Sequence, residues 1–134
     1  MPVFLPQIED DLEYVLVGVS CHERDYRMVW RVNKMLHWNL ERADDVLHTS
    51  GKRESVHSCF RMVIGDENII ITWYQNKTGE GILLPEFAQF DYLLKVENAP
   101  RDFITDALMQ LRRTIGVRAV MEFDPEKIKS VALL

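Results

Sequence analysis

Apolar and polar positions alternate along this chain in segments of changing period, and the period names the elements. Tyr14 to Ser20 (YVLVGVS) is apolar on both alternating faces, which predicts a central strand covered on both sides. Ser20 with Glu23 has capping-box spacing and predicts a helix starting there. In the stretch that follows, Tyr26, Val29, Trp30, Val32 and Leu36 form a broad apolar helical stripe, and Trp30 is assigned to the core with it. Arg24, Arg27, Arg31 and Lys34 fall within a sector of roughly 80° and form one basic ridge. From Trp38 to Glu54 the pattern is weak, and Ser50-Gly51-Lys52 reads as a loop.

Val56, Ser58, Phe60, Met62 and Ile64 then share one strand face, and His57, Cys59 and Arg61 the other. Turn chemistry at Gly65 to Asn68 followed by the β-branched and aromatic run Ile69 to Tyr74 predicts a hairpin. Ile69, Ile71 and Trp73 point one way, Ile70 and Tyr74 the other. Phe90, Tyr92, Leu94 and Val96 alternate with polar positions as a half-buried strand. Phe103, Ile104, Ala107, Leu108, Leu111 and Ile115 give a second helix, with Pro100 at its start and Gly116 as its stop. Val117 to Phe123 follows as a strand, and Pro125 to Ile128 as a short terminal turn.

The order predicts an α+β fold. Two helices pack on one face of a mostly antiparallel sheet, ferredoxin-like or a variant with an added strand. Apolar side chains on the other face predict an open patch, and with it a homodimer.

With 134 residues, residues 1–134 are expected to make a single domain that needs no disulfide or metal. The net charge of −5 disfavours nucleic acid as a partner. Acidic residues near the N-terminus, and no long apolar run, predict neither a secretion signal nor a membrane span, hence a cytoplasmic protein. Cys21 and Cys59, unpaired in spacing, are expected as reduced thiols.

Candidate chemistry is sparse. His57 and Cys59 share a strand face, but no second ligand pair has comparable spacing, so no metal or cofactor is expected. A Cys59–His57 nucleophile would need a third group to orient the histidine. No phosphate loop, dinucleotide fingerprint or nucleophile elbow occurs.

Leu84 to Tyr92 reads LPEFAQFDY, with Pro85, Glu86, Asp91 and Tyr92 in fixed spacing. It resembles the signature of the IPExxxVDY family of small bacterial proteins. Asp25-Tyr26-Arg27, Asn33-Lys34 and Asn39-Leu40 also look like that family. The resemblance covers about a quarter of the chain and implies a class of protein without an assigned activity. Leu84-Pro85 predicts an extended approach to the strand, with Phe90 and Tyr92 on its core side and Asp91 opposite.

The candidate binding residues are therefore Glu86, Asp91, Tyr92, Arg27 and Arg31. The first expectation is a non-enzymatic interaction or ligand-binding module that forms a homodimer, with a protein as a further partner. One alternative is a small enzyme using Glu86 and Asp91 as acid and base, near Arg61 or His57. The other is an RNA-associated accessory protein acting through the basic ridge.

Overall fold

The computed structural model describes residues 14–66 and 68–125. The strands β1 (Tyr14–Cys21), β2 (Glu41–Ser50), β3 (Arg53–Ile64), β4 (Ile69–Gln75), β5 (Tyr92–Glu97) and β6 (Val117–Phe123) form one sheet. Its order is β2-β3-β4-β5-β1-β6, and every neighbouring pair is antiparallel. Helix α1 (Asp25–Leu36) connects β1 to β2, and α2 (Arg101–Arg112) connects β5 to β6. The strands β4-β5-β1-β6 with the two helices have the connection order of a ferredoxin-like split βαβ unit. The addition is a whole hairpin, β2–β3, between α1 and β4.

Both helices lie on one face. Met28, Val29, Val32 and Leu36 of α1 and Ile104, Ala107, Leu108 and Leu111 of α2 are buried there. They pack on Val17, Val19, Phe60, Ile71, Trp73, Tyr92, Leu94 and Val96 of the sheet. Trp38, just past α1, stacks on Phe103 of α2 with ring centroids 6.2 Å apart. The Asn33 side chain both donates to and accepts from the backbone of Leu40, at 3.1 and 2.9 Å, and so ties the end of α1 to the start of β2. Among the described residues no helix is long and apolar enough to cross a membrane.

The second face departs most from expectation. Its centre is not open: Leu83, Leu84, Phe87 and Phe90 lie across it and cluster with Leu16, Cys59, Tyr74 and Leu93. Burying these four side chains contributes on the order of 8 kcal/mol gross, at about 2 kcal/mol each. The segment begins after a tight turn closed by Thr78 and Gly81, and a bridge pairs Lys77 with Ile82. Leu84 is extended, as the following proline demands, and Pro85–Phe87 makes one 3₁₀ turn. Phe90 thus sits on the opposite sheet face from Tyr92, because β5 starts only at Tyr92 and the alternation expected from Phe90 onward does not apply. A dimer built on an open centre of this face loses its basis.

Four further expectations are corrected. Residues 41–50 form an edge strand, and Gly51 (φ 64°) and Lys52 make its turn to β3. Ser20 belongs to β1, and Arg24 occupies the N-cap without a side-chain cap hydrogen bond. Ile115 lies beyond the end of α2 and is exposed. Tyr26 and Trp30 are not core residues. The expected terminal turn reaches beyond the described residues.

Candidate functional site

Helix α1 separates its faces sharply. At about 100° per residue, Met28, Val29, Val32 and Leu36 fill a sector of roughly 100°, and Tyr26 and Trp30 project more than about 100° from its middle. They are 57% and 61% exposed, one turn apart. Beside them run Arg27, Arg31 and Lys34, and Lys34 Nζ stands 4.8 Å from the centroid of the Trp30 ring. Arg24, by contrast, leaves the ridge for the N-cap.

Arg31 is fixed from two sides. It pairs with Glu23 Oε2 at 3.0 Å, and its Nη1 donates to the carbonyl of Ile115 at 3.3 Å. Arg27 lies 3.9 Å from the other oxygen of Glu23. Two clefts meet at Trp30 and Arg31. One, of about 450 Å³, runs along Tyr26 and Arg27. The other, of about 620 Å³, lies between α1 and the chain after α2, against Met35, Arg113 and Ile115. No aspartate or glutamate is among the described residues that line them.

Asp91 and Tyr92 lie on the other side of the β1–α1 connection. Asp91 Oδ2 accepts from the Cys21 N–H at 2.9 Å, where β1 has an irregular register. Its Oδ1 lies 3.4 Å from Lys77 Nζ. The Tyr92 hydroxyl donates to the Glu23 carbonyl at 2.6 Å. Together they hold residues 21–23 in place, and Glu23 in turn holds the two arginines. A polar cleft of about 250 Å³ opens here beside His22, Arg24 and Gln75. Burial pushes the Cys21 thiol up to about 11, so it is not a nucleophile near neutral pH.

Glu86 is exposed in the 3₁₀ turn and does not line the Asp91 cleft. Neither do Arg61 and His57. Of the five candidate residues, the fold joins Arg27 with Arg31, and Asp91 with Tyr92, and links the two pairs through Glu23. Glu86 belongs to neither pair.

His57 is fully buried, and both of its ring nitrogens are engaged. Nδ1 lies 2.8 Å from the Gln75 carbonyl, which can only accept, so Nδ1 carries the proton. Nε2 then accepts from the Ser55 hydroxyl at 2.7 Å. This is the donor order of a serine–histidine nucleophile. However, Ser55 is buried under Gly81, where an added Cβ would come within 2.8 Å of the hydroxyl, and none of the three clefts includes it. The unit ties Ser55 to the Gln75 carbonyl with Gly81 lying against it, and Cys59 packs in the apolar cluster.

Burial lowers the His57 pKa below its ordinary 6.5, and the nearby His48 adds to the shift. Above about pH 6.5 the imidazole is neutral in both folded and unfolded chains and contributes no pH dependence. Below it the unfolded chain takes up a proton that the native state resists, so stability falls as pH drops from there toward the depressed native value. Urea midpoints at pH 7.5 and 5.5 should therefore fall less for His57→Gln than for the parent. Equal falls would show that this imidazole is not responsible.

Comparison with protein-family models, curated proteins and solved structures finds no match to this chain. The site therefore rests on its own geometry. Two of its features were not apparent in the pattern of the sequence: the exposure of Trp30 and the role of Ile115 as a cleft wall. The first had a signal in the helical phase of Met28, Val29, Val32 and Leu36, which are sufficient for a buried face without the two aromatics.

Proposed function

We propose that this protein is a non-enzymatic interaction module of the IPExxxVDY type whose binding surface is the exposed face of α1. The observation that carries this is the pair Tyr26 and Trp30, more than half exposed beside Arg27, Arg31 and Lys34. Tyrosine, tryptophan and arginine are the residue types that dominate binding hot spots. Two large aromatics more than half exposed on one helix face bury little for the fold, and a partner accounts better for their placement. A two-fold homodimer through this face would set each basic row against its own copy, so charge favours a different protein. The enzyme alternative draws no support from the separation of Glu86 from the Asp91 cleft.

The test is native mass spectrometry of the protein purified gently from its own host, beside a Tyr26→Ser/Trp30→Ser variant. Surface substitutions of this kind should change stability by less than about 1 kcal/mol. The parent should carry a discrete added mass that the variant lacks. Identical spectra for the two proteins would overturn the assignment. Leu47→Ser/Val56→Ser, at the exposed far end of the β2–β3 hairpin, serves as a control that should keep the added mass.

A further inference from the structure

The two clefts along α1 share Trp30 and Arg31 as walls and are taken together as one groove. Its surface is mostly apolar, from Tyr26, Trp30, Met35 and Ile115, the last 76% exposed. Its rim is cationic, from Arg27, Lys34 and Arg113. The chain as a whole carries −5, so this face is opposite in sign to the molecule that bears it. The groove is also preformed. Arg31 braces α1 against the turn after α2 through the Ile115 carbonyl. That turn needs Gly116, whose φ is +95° and where a Cβ would come within 2.8 Å of Arg31 Nη1. A groove held this way loses little conformational freedom when filled.

We infer that the groove takes an acidic peptide segment of a partner protein, an inference that rests on α1 being the binding surface. Apolar side chains of the segment sit against Trp30, Met35 and Ile115, and its carboxylates meet Arg27, Lys34 and Arg113. This is the mode in which an amphipathic segment lays its apolar side into a groove and its charges on the rim. A single-stranded nucleic acid would also find aromatics and cations here. Two features disfavour it. Its affinity comes from neutralising many phosphates in a row, whereas this face presents Arg27, Arg31, Lys34 and Arg113 on a protein of net charge −5. Beside its two aromatics the groove also has the aliphatic walls Met35 and Ile115, on which a base does not stack, and the Trp30 ring already carries Lys34.

The experiment titrates isotope-labelled protein with a synthetic peptide of about four helical turns, built from Glu with Leu and Phe at three- and four-residue spacing. Amide shifts and the indole N–H of Trp30 are followed by NMR. Controls are the same peptide with Gln for Glu, the same with Lys for Glu, and oligouridylate. Saturable shifts are expected on α1 and residues 113–116, about tenfold weaker with the Gln peptide because several rim ion pairs are lost together. They should vanish in Trp30→Ser. The inference is overturned if the Lys peptide binds as well as the Glu peptide, or if no peptide gives saturable shifts. Tighter binding of oligouridylate on this face also overturns it, while leaving α1 as the binding surface. If a native complex depends on Tyr26 and Trp30 but no peptide binds, only the partner class fails. If that complex is absent as well, the surface itself is wrong.

Discussion

Asn76→Ala should lower the free energy of unfolding by about 3 kcal/mol, because one side chain bonds three backbone groups, and among the described contacts nothing else reaches two of them, the Leu84 N–H and the Phe90 carbonyl. Asn76 is fully buried. Its Nδ2 donates to the carbonyls of Phe87 and Phe90 at 3.0 and 2.9 Å, and its Oδ1 accepts from the Leu84 N–H at 2.8 Å. Its backbone carbonyl also accepts from the Leu83 N–H. A loop laid over a sheet face has no ladder for its own amides, and Asn76 substitutes for one. Each buried group left without a partner costs about 1–3 kcal/mol, reduced where water can enter. Asn76→Asp keeps the acceptor for Leu84 but sets a carboxylate oxygen against two carbonyls. It should be at least as damaging at neutral pH and should partly recover in acid, as the new carboxyl is protonated. Urea unfolding gives the energies, and hydrogen exchange at residues 83–90 shows whether the cover loosens before the sheet. An Asn76→Ala protein within about 0.5 kcal/mol of the parent, with those amides still protected, would show that the segment is held by apolar contact alone.

The reason this residue escaped the sequence pattern is physical. Asn76 stands in QNKTGEG, a run whose composition is that of a loop, and a buried asparagine is recognisable only from the backbone groups that surround it. The cover segment did leave a trace: Leu83, Leu84, Phe87 and Phe90 recur at three- and four-residue steps, the spacing of a one-sided turn rather than of a strand. Strand β2 left almost none. Of its half-buried residues Ala43, Val46 and His48, the first two are three apart because the register shifts between them, so the alternation is broken, and β2 is ordered by pairing with β3 rather than by burial of its own. By contrast β1 and β4 could be read from their continuous apolar runs, which bury both faces, and α2 up to Leu111 from its helical period.

The family-like residues follow the same division. Asp91 holds the Cys21 amide, Tyr92 holds the Glu23 carbonyl, and Asn33 holds Leu40. Each fixes a junction between elements, and two of the three fix the ends of α1. Asp91 and Tyr92 thus tie down the connection that leads into α1, and Asn33 the exit from it, next to which Tyr26, Trp30 and the arginines stand. The sequence identified the arginines as a ridge but assigned their aromatic neighbours to the core, because hydrophobicity scales rank tryptophan by transfer energy and not by its helical phase.

Gly18 and Phe90 should show the strongest coupling of any pair in the fold. Gly18 lies in the central strand β1 with the Phe90 ring directly over it, so that a Cβ at Gly18 would come within 2.6 Å of Phe90 Cγ. The ring also meets Phe123 of β6 at a centroid distance of 5.4 Å, so it cannot simply slide aside. Gly18→Ala would normally gain a little from reduced chain entropy in a strand, less than about 1 kcal/mol. Here overpacking opposes that gain, and a net loss of about 2 kcal/mol is expected. Phe90→Ala empties the site instead and should cost about 3–5 kcal/mol. In the double variant the new methyl no longer meets a ring and fills part of the void, so its total cost should fall short of the sum by about 1.5 kcal/mol or more. Equilibrium unfolding of the parent and three variants completes the cycle. Additivity within about 0.5 kcal/mol would mean that Phe90 does not rest on Gly18. In that case the second sheet face would be closed less tightly than its burial implies, and it would return as a surface on which two copies of the chain could meet.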